Sequence, residues 1–232
     1  MVATPTSIVY PDSDGLPMSD NTRQFEYIVY IKKGVDWLFG DNPQVFVGGD
    51  LLWYPVEGNN KLRQAPDVMV AFGRPKGERG SYQQWKEENI PPQVVFEIIS
   101  PGNTIPEMTR KFQFYERYGV EEYYIYDPDR LSLGGFLRQN DRLEEIEVME
   151  GWVSPRLKVR FTLNQDGGLD LYRPDGRLFE RYEEIAARAE QAERRANQAE
   201  AEVDRLKAQL RAMGHNPDDL IGTEGREGYA DT

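Results

Sequence analysis

The sequence contains no cysteine and one histidine, His215. The lack of cysteine excludes a disulfide scaffold, thiolate zinc sites and a thiol nucleophile, and a single histidine excludes a multi-histidine metal centre. Any catalysis must therefore use carboxylates, Lys, Ser or Tyr. Apolar runs are also short of the about 18 residues that span a bilayer, and the first twenty residues have no basic start or apolar segment of a secretion signal. We expect a cytoplasmic protein without a membrane partner.

Basic residues are scarce, since 28 Lys and Arg face 40 Asp and Glu and the formal net charge is −12. Phosphate contacts need clustered bases, so this balance argues against tight non-specific binding to nucleic acid. The chain is nevertheless long and apolar enough for a sizeable core, with 232 residues of which 39% are hydrophobic. We therefore expect one folded domain with appended segments.

Composition divides the chain into four parts. Residues 1–19 are polar and contain proline, which is typical of an N-terminal arm. Residues 20–177 hold the apolar segments of a folded domain, and residues 178–213 hold a long helical repeat. Residues 214–232 are rich in glycine and acids, which predicts a disordered acidic tail.

The repeat in residues 178–213 has the spacing of a coiled coil. Apolar residues follow one another in alternating steps of four and three. They are Leu178, Tyr182, Ile185, Ala189, Ala192, Ala196, Ala199, Val203, Leu206, Leu210 and Met213. A parallel homodimer would form three oppositely charged pairs between the chains, Arg188 with Glu193, Arg195 with Glu200, and Glu202 with Lys207. The alternative is a single helix docked on its own domain, because the four central alanines bury little area.

The folded domain has the pattern of an α/β fold. Asp20 or Asn21 can cap a first helix that ends at Gly40, and Thr104 with Glu107 forms a capping box for a second helix that ends at Gly119. Strands are predicted at 45–54, with a break at the two glycines, and at 67–72, 94–99 and 123–126. Antiparallel strands are predicted between 131 and 172. The core order through residue 127 is helix, three strands, helix, strand.

Glu97 is the most informative residue of the chain. It stands in the middle of the predicted strand Val-Val-Phe-Glu-Ile-Ile, whose other residues are apolar on both faces. A buried carboxylate costs several kcal/mol unless a cation or hydrogen bonds compensate it. The two candidates for that cation are a divalent metal and a nearby Lys or Arg.

Asp67 and Lys111 are the candidate partners of Glu97. Asp67 begins the preceding strand, and neighbouring strands lie about 4.8 Å apart, so two carboxylates would suit Mg²⁺, or Mn²⁺ in its place. Lys111 lies on a largely apolar helix face and is expected to point at the sheet, where it would assist an attacking water. The alternative is a buried ion pair of Glu97 with Lys111, with Asp67 as a strand-entry cap.

Several blocks of the sequence together resemble the Uma family of proteins, which are assigned as restriction endonucleases. The blocks are Pro66-Asp67-Val-Met-Val, Val-Val-Phe-Glu97-Ile-Ile-Ser-Pro101, and Lys111 with Tyr115 followed by the run from Gly119 to Pro128. The resemblance covers roughly residues 20–175. It implies the restriction-endonuclease-like fold of the PD-(D/E)XK superfamily, with Asp67 and Glu97 as metal-binding acids.

The sequence departs from the superfamily at one position. The superfamily's lysine stands two residues after the acid, where this chain has Ile99. Lys111 would replace it from the following helix, because a long lysine stem can reach a strand packed beneath it. Asp50 is a candidate third metal ligand, with an exposed turn position as its alternative.

Basic and aromatic residues cluster around Asp67 in the sequence. The bases either contact phosphate or are simply solvated, and the two aromatic residues either stack on bases or belong to the core. The bases are Arg63, Arg74, Lys76, Arg79 and Lys86, and the aromatic residues are Tyr82 and Trp85.

Two functions follow as hypotheses. The first is a Mg²⁺-dependent DNA endonuclease that acts as a homodimer through residues 178–213, with Asp67, Glu97 and Lys111 as catalytic residues and Asp67, Glu97 and Asp50 as metal ligands. The second is a catalytically inactive protein that keeps the nuclease fold as a dimeric interaction or regulatory module.

Overall fold

A computed structural model describes residues 8–13, 15, 19 and 21–216. Most of the predicted N-terminal arm, the alternative helix cap Asp20 and the predicted acidic tail beyond 216 lie outside these residues. Residues up to Glu180 form one compact unit, and residues from Arg181 onward form a second. None of the helices in the described part has the length and apolar character that crossing a membrane requires.

Helix α1 spans Thr22–Leu38 and begins at the cap that the sequence indicated. The Asn21 side chain accepts a hydrogen bond from the backbone N–H of Gln24 at 2.8 Å, which satisfies one of the free donors at the helix start. The helix buries the stripe that includes Ile28, Ile31 and Val35. This stripe packs one face of the central sheet.

Within the described residues, ten strands follow this helix. In chain order they are β1 (Val45–Gly49), β2 (Trp53–Tyr54), β3 (Val68–Phe72), β4 (Tyr82–Gln83), β5 (Val94–Ile98), β6 (Glu122–Asp127), β7 (Ser132–Gln139), β8 (Arg142–Glu145), β9 (Arg160–Leu163) and β10 (Leu169–Tyr172). Six of them form the main sheet in the order β1, β3, β5, β6, β7, β8. Only β5 and β6 run parallel within it, and the other neighbours are antiparallel.

Helix α2 spans Ile105–Arg117 and connects the two parallel strands. Its capping box is present, with the Thr104 side chain and the Glu107 side chain each bonded to the other's backbone N–H. The helix ends before Gly119, whose φ of 92° suits glycine. The core order α1, β1, β3, β5, α2, β6 is the predicted helix, three strands, helix, strand.

One predicted strand is divided in two. Residues 45–54 were expected to form a single interrupted strand, but β1 ends at Gly49 and β2 pairs in parallel with β4 outside the main sheet. The chain turns at Asp50, which has a positive φ of 45°. Strand β4 lies in the segment 73–89, which was predicted as a charged connection with a short helical turn, and a turn of 3₁₀ helix follows at Gln84–Lys86.

Strand β5 lies at the centre of the sheet with both faces covered, as predicted. Val94, Phe96 and Ile98 pack with the α1 layer. Val95 belongs to the layer under α2, and Glu97, on the same side by alternation, reaches side chains of α2. The strand therefore delivers one carboxylate into the layer between sheet and α2.

The C-terminal helix α3 spans Tyr182–Ala212 and begins later than the predicted boundary at 178. Leu178 forms a bridge with Tyr172, and Phe179 is 2% exposed in the core of the first unit. The Phe179 ring lies 6.1 Å from that of Tyr30. The predicted heptad position Leu178 is therefore part of the folded domain, and the boundary moves to residue 181.

Candidate active site

Asp67 and Glu97 occupy facing positions of two antiparallel strands. The register of β3 and β5 pairs Val68 with Phe96, and one further step places Asp67 across from Glu97. Residues that face each other in an antiparallel pair point to the same side of the sheet. Asp67 also accepts a hydrogen bond through Oδ2 from the backbone N–H of Ile98 at 2.6 Å. The two acids therefore share the face that α2 covers.

The backbone of Ile98 fixes the end of β5 from both sides. Its N–H donates to Asp67, and its carbonyl accepts from Gln24 Nε2 of α1 at 2.9 Å. The side chains of Asp67 and Gln24 are buried. Asp67 thus holds the end of the neighbouring strand β5, whereas the alternative placed it as a cap at the entry of its own strand. This bond leaves its other carboxylate oxygen available for a different partner.

Glu97 is compensated by two donors from α2. Lys111 Nζ lies 2.8 Å from Glu97 Oε2, and the hydroxyl of Tyr115 donates to Oε1. The Glu97 side chain is only 3% exposed. The ion pair considered as an alternative is therefore present, and it satisfies the buried charge in the metal-free chain.

Aromatic packing holds Tyr115 in place. Its ring is parallel to that of Trp53, with a centroid distance of 6.4 Å and an interplanar angle of 1°. The ring of Tyr123 from β6 meets it edge-on at 5.0 Å. Because Trp53 belongs to β2, the small sheet formed by β2 and β4 supports the acid-binding side of α2.

The charges of the site shift the pKa values of its groups. Burial raises the pKa of Asp67 well above its usual range, and the neighbouring charge of Glu97 raises it further. Burial lowers the pKa of Lys111, but the charge and hydrogen bond of Glu97 outweigh this effect and the pKa is raised overall. Burial, followed by the charge of Glu97, holds the pKa of Tyr115 well above 10. A further cation would relieve the repulsion between the two carboxylates.

The residues of this site fit Mg²⁺. Across the described residues, no group of three or more His, Cys, Asp or Glu is placed to hold a metal ion. Two carboxylates are nevertheless a common protein ligand set for Mg²⁺, which keeps several waters and binds substrate phosphate. Tyr123 Oη is buried here without a hydrogen-bond partner among the described residues, and its pKa is raised by burial and then by Glu97 and Asp67. A metal-bound water would satisfy this hydroxyl.

Comparison with known proteins assigns the family. The profile of the Uma2 family, described as "Putative restriction endonuclease", matches residues 30–171, which is more than half of the chain. The chain belongs to the Uma2 family. Asp67, Glu97 and Lys111 all lie within the Uma2 match.

Among the solved structures that the chain resembles is a "putative nuclease". This is a crystal structure from Anabaena variabilis ATCC 29413, described as a "putative nuclease belonging to DUF820". The TM-score is 0.44 at 13% sequence identity, over 58% of this chain and 72% of that chain. The comparison with curated proteins gives no match.

Asp50 lies beside the pair without forming a three-acid cluster. Its backbone N–H donates to the carbonyl of Asp67 at 3.1 Å, and its charge is a minor contribution to the raised pKa of Asp67. The positive φ of Asp50 places it in a turn, but the residue is half-buried and not exposed as the turn alternative expected. Its role as a third ligand in this Uma2 protein stays a prediction.

Two of the predicted phosphate-binding bases are engaged in ion pairs. Arg74 and Arg79 bind the carboxylate of Glu87 at 3.1 and 2.6 Å, and Arg74 also binds Glu88 at 2.9 Å. The guanidinium of Arg79 lies 4.0 Å from the centre of the Phe46 ring. These contacts fix the 73–89 segment, so the structure does not favour a phosphate-binding role for either arginine.

The two aromatic residues of this segment also have partners within the protein. Tyr82 is fully buried and donates its hydroxyl to the carbonyl of Ile90 at 2.8 Å. The ring of Trp85 lies 4.9 Å from that of Tyr10. The core alternative therefore holds for Tyr82. The exposed bases left in this segment are Lys76 and Lys86.

A hollow of about 640 Å³ opens at the carboxyl ends of β5 and β6, and neither Asp67 nor Glu97 lines it. Its apolar lining includes Ile99, Phe112, Ile125 and Phe136. Ile99 stands two residues after Glu97, so the position of the superfamily's lysine is part of this lining. The sequence had not indicated the hollow, because its walls come from strands and a helix that are distant in the chain.

Sequence reasoning also missed the role of Tyr115. The residue was recognised only as part of an apolar helix face and of a family motif. The signal that could have found it is its spacing, since it stands one helical turn after Lys111 and both side chains then reach the same strand.

Proposed function

We propose that this Uma2 protein is a Mg²⁺-dependent DNA endonuclease that hydrolyses phosphodiester bonds. The observation that carries the proposal is the placement of Asp67 and Glu97 on one buried face, with Lys111 bonded to Glu97. The nuclease assignment of the family supports it.

The proposed hydrolysis needs a metal ion, the two carboxylates and Lys111. When bound, Mg²⁺ supplies a Lewis acid that polarises the phosphate and lowers the pKa of a bound water. Asp67 and Glu97 would hold the metal, each through a carboxylate oxygen that still has acceptor capacity. Lys111, as a cation fixed by Glu97, would orient the water and stabilise the negative charge that develops on the phosphate.

DNA is the proposed partner, within the cytoplasmic location expected from the sequence. The net charge of −12 opposes the approach of a polyanion. Binding should therefore depend on few phosphate contacts and on the metal. Lys76 and Lys86 are exposed candidates for such contacts. Weak and salt-sensitive binding is the expected behaviour.

We also propose a homodimer joined through the predicted segment 178–213. Two copies would supply two sites, and two single-strand cuts on opposite strands make a double-strand break. The helix that carries this proposal is α3. The dimeric state is tested by sedimentation of the full-length chain, since truncation at 178 would also remove Phe179 from the core.

The nuclease proposal is tested first by metal binding and then by cleavage activity. Isothermal titration with Mn²⁺ and Mg²⁺ should show binding to the full chain that Asp67→Asn and Glu97→Gln each remove. Asp129→Asn changes an exposed acid elsewhere, 53% exposed in its side chain, and should leave binding intact. Cleavage of supercoiled and linear DNA with Mg²⁺ is then measured on the same variants.

Two outcomes would reject the proposal. One is the absence of metal binding, and the other is binding that Asp67→Asn and Glu97→Gln leave unchanged. Either would favour the inactive interaction module, for which the ion pair of Glu97 and Lys111 already provides a self-sufficient buried structure.

A further inference from the structure

Helix α3 presents its apolar seam to solvent. Of residues 184–216, every one is exposed except Lys207 and Leu210, which are half-buried. Ile185, Val203 and Leu206 are between 41% and 47% exposed. A helix of 31 residues gains most of its stability from packing of such a seam against a partner.

The seam repeats with the period of a left-handed coiled coil. Residues 182, 189, 196, 203 and 210 occupy one heptad position, and residues 185, 192, 199, 206 and 213 occupy the other. The larger residues stand towards both ends, and the four alanines stand in the middle. Small central residues let two helices approach closely at their middle. A second copy of α3 has its small residues at the same positions, so the two helices match along the seam when they are in register.

The charges beside the seam favour a parallel pair. In parallel register each residue before the first seam position faces the residue five positions later on the other chain. These contacts are Arg188 with Glu193, Arg195 with Glu200 and Glu202 with Lys207, and symmetry doubles each of them. Within one helix Glu202 is already bonded to Arg205 at 2.7 Å, so the two Arg–Glu contacts carry most of the preference.

An antiparallel pair of equal overlap is disfavoured by the same residues. Opposing Tyr182 to Met213, with the same offset of five residues, brings Arg195 against its own copy and Glu200 against its own copy. Arg188 then meets Glu202 and Glu193 meets Lys207, whereas the parallel pair has three attractive contacts and no like-charge contact. Like charges across such a seam are destabilising, and they select against this orientation.

We infer that α3 pairs with α3 of a second copy in parallel and in register, so that both chains enter the coiled coil at the same end. The inference rests on the proposed homodimer and is independent of the nuclease chemistry. It specifies the partner, the orientation and the residues that select them.

The absence of cysteine makes the orientation measurable by a single introduced thiol. Ala192→Cys lies on the seam, and in the full-length protein two copies in parallel register bring the thiols within the 4.4–6.8 Å Cα separation of a disulfide. In the antiparallel pair residue 192 faces residue 203, and the two thiols are about 16 Å apart along the axis. Ala187→Cys, on the outer side of the heptad, is the matched control.

We expect mild oxidation to link most Ala192→Cys chains into a covalent dimer and few Ala187→Cys chains. A sedimentation mass of two chains with no link at Ala192→Cys overturns the parallel register while the homodimer stands. A monomer at full length overturns both, and α3 then has some other partner.

Charge exchange provides a second readout on the native seam. Arg188→Glu with Arg195→Glu should weaken the dimer about tenfold or more, because four contacts between the chains become repulsive. Adding Glu193→Arg and Glu200→Arg should restore wild-type affinity in the parallel pair. In the antiparallel pair these two changes leave like charges opposed, so a failure to restore affinity contradicts the inference.

Discussion

Tyr115 donates its hydroxyl to Glu97 Oε1 from the helix that covers the sheet. Lys111, one turn earlier on α2, holds the other oxygen at 2.8 Å. Both oxygens of the central acid are thus oriented by one helix, and the parallel ring of Trp53 supports Tyr115 from β2. The carboxylate is therefore set in one orientation before any metal arrives, which is the condition for a precise metal site.

Tyr115→Phe should keep the ring packing and remove one donor. We expect a loss of about 1–2 kcal/mol in the free energy of unfolding, because a charged buried acceptor loses a hydrogen bond. Affinity for Mn²⁺ should fall several-fold, since a less oriented ligand binds more weakly. Urea unfolding and titration calorimetry measure the two effects.

The matched control for that change is Tyr118→Phe at the cap that ends the same helix, whose ring also lies 6.4 Å from Trp53. It should alter neither quantity by more than a few tenths of a kcal/mol. Equal effects of the two variants would contradict a specific role for the Tyr115 hydroxyl.

Lys111→Met should destabilise the metal-free protein by about 3–5 kcal/mol, because it leaves Glu97 buried without its cation. The two side chains are 13% and 3% exposed. Lys32→Met removes the i,i+4 partner of Asp36, with side chains 30% and 32% exposed, and should cost less than about 1 kcal/mol. Chemical unfolding compares the pair. Similar losses in both variants would argue against a buried charge at Glu97 that depends on Lys111.

Glu122 provides a pH-dependent test at a buried acid other than Asp67 and Glu97. It is fully buried at the start of β6, and it accepts hydrogen bonds from the side chains of Ser154 and Tyr124 and the backbone N–H of Arg156. Burial raises its pKa, and the hydrogen bonds only partly offset this. Its contribution to stability is then full below the unfolded pKa of about 4.3 and is lost as the pH rises through the folded pKa.

Glu122→Gln should therefore gain stability relative to the wild type as the pH rises from 4 to 7. Glutamine has no charge to bury, and its carbonyl can still accept from the Arg156 backbone. Unfolding free energies across this range measure the difference. Glu144→Gln, at an exposed position, should show no such trend. If the wild type instead becomes more stable relative to the Glu122→Gln variant as the pH rises, the predicted sign is wrong.

Phe179 tests the revised boundary between the two units. A Cβ atom on Gly34 would lie 2.0 Å from the Phe179 ring, so α1 needs a glycine there to receive it. Phe179→Ala should cost about 3–5 kcal/mol in the free energy of unfolding, as large-to-small changes in a core do. Leu206→Ala on α3 should leave the free energy of unfolding of the first unit, residues up to Glu180, unchanged. A negligible effect of Phe179→Ala would return residue 179 to the coiled-coil segment.

The sequence indicated which side chains could meet if the strands of Asp67 and Glu97 pair. Alternation along two antiparallel strands places Asp67 and Glu97 on one face, and helical spacing turns Lys111 towards them. These are local periodicities, and they were predictable. The family assignment from the same blocks is confirmed by the Uma2 match.

Contacts between distant segments were beyond local reasoning. The pairing of β2 with β4, the ion pairs of Arg74 and Arg79 with Glu87, and the packing of Phe179 all depend on how loops return to the core. A charged residue in sequence looks the same whether it faces solvent or a buried partner. Its role is decided by the tertiary structure.

Glu122 also limits what a buried acid can signify. It is as deeply buried as Glu97, yet hydroxyl and backbone donors satisfy it without a bonded lysine. Burial of a carboxylate in a sheet is therefore not by itself a sign of a metal. What distinguishes Glu97 is a second carboxylate, Asp67, across the strand pair on the same face.

The most direct measurement is the anomalous scattering of Mn²⁺ in crystals soaked with the metal. We expect one strong peak between the carboxylates of Asp67 and Glu97, within coordination distance of an oxygen of each, and no peak there in Asp67→Asn crystals. A fully occupied peak elsewhere, or an intact Glu97–Lys111 pair with no ion at high Mn²⁺, would contradict this expectation.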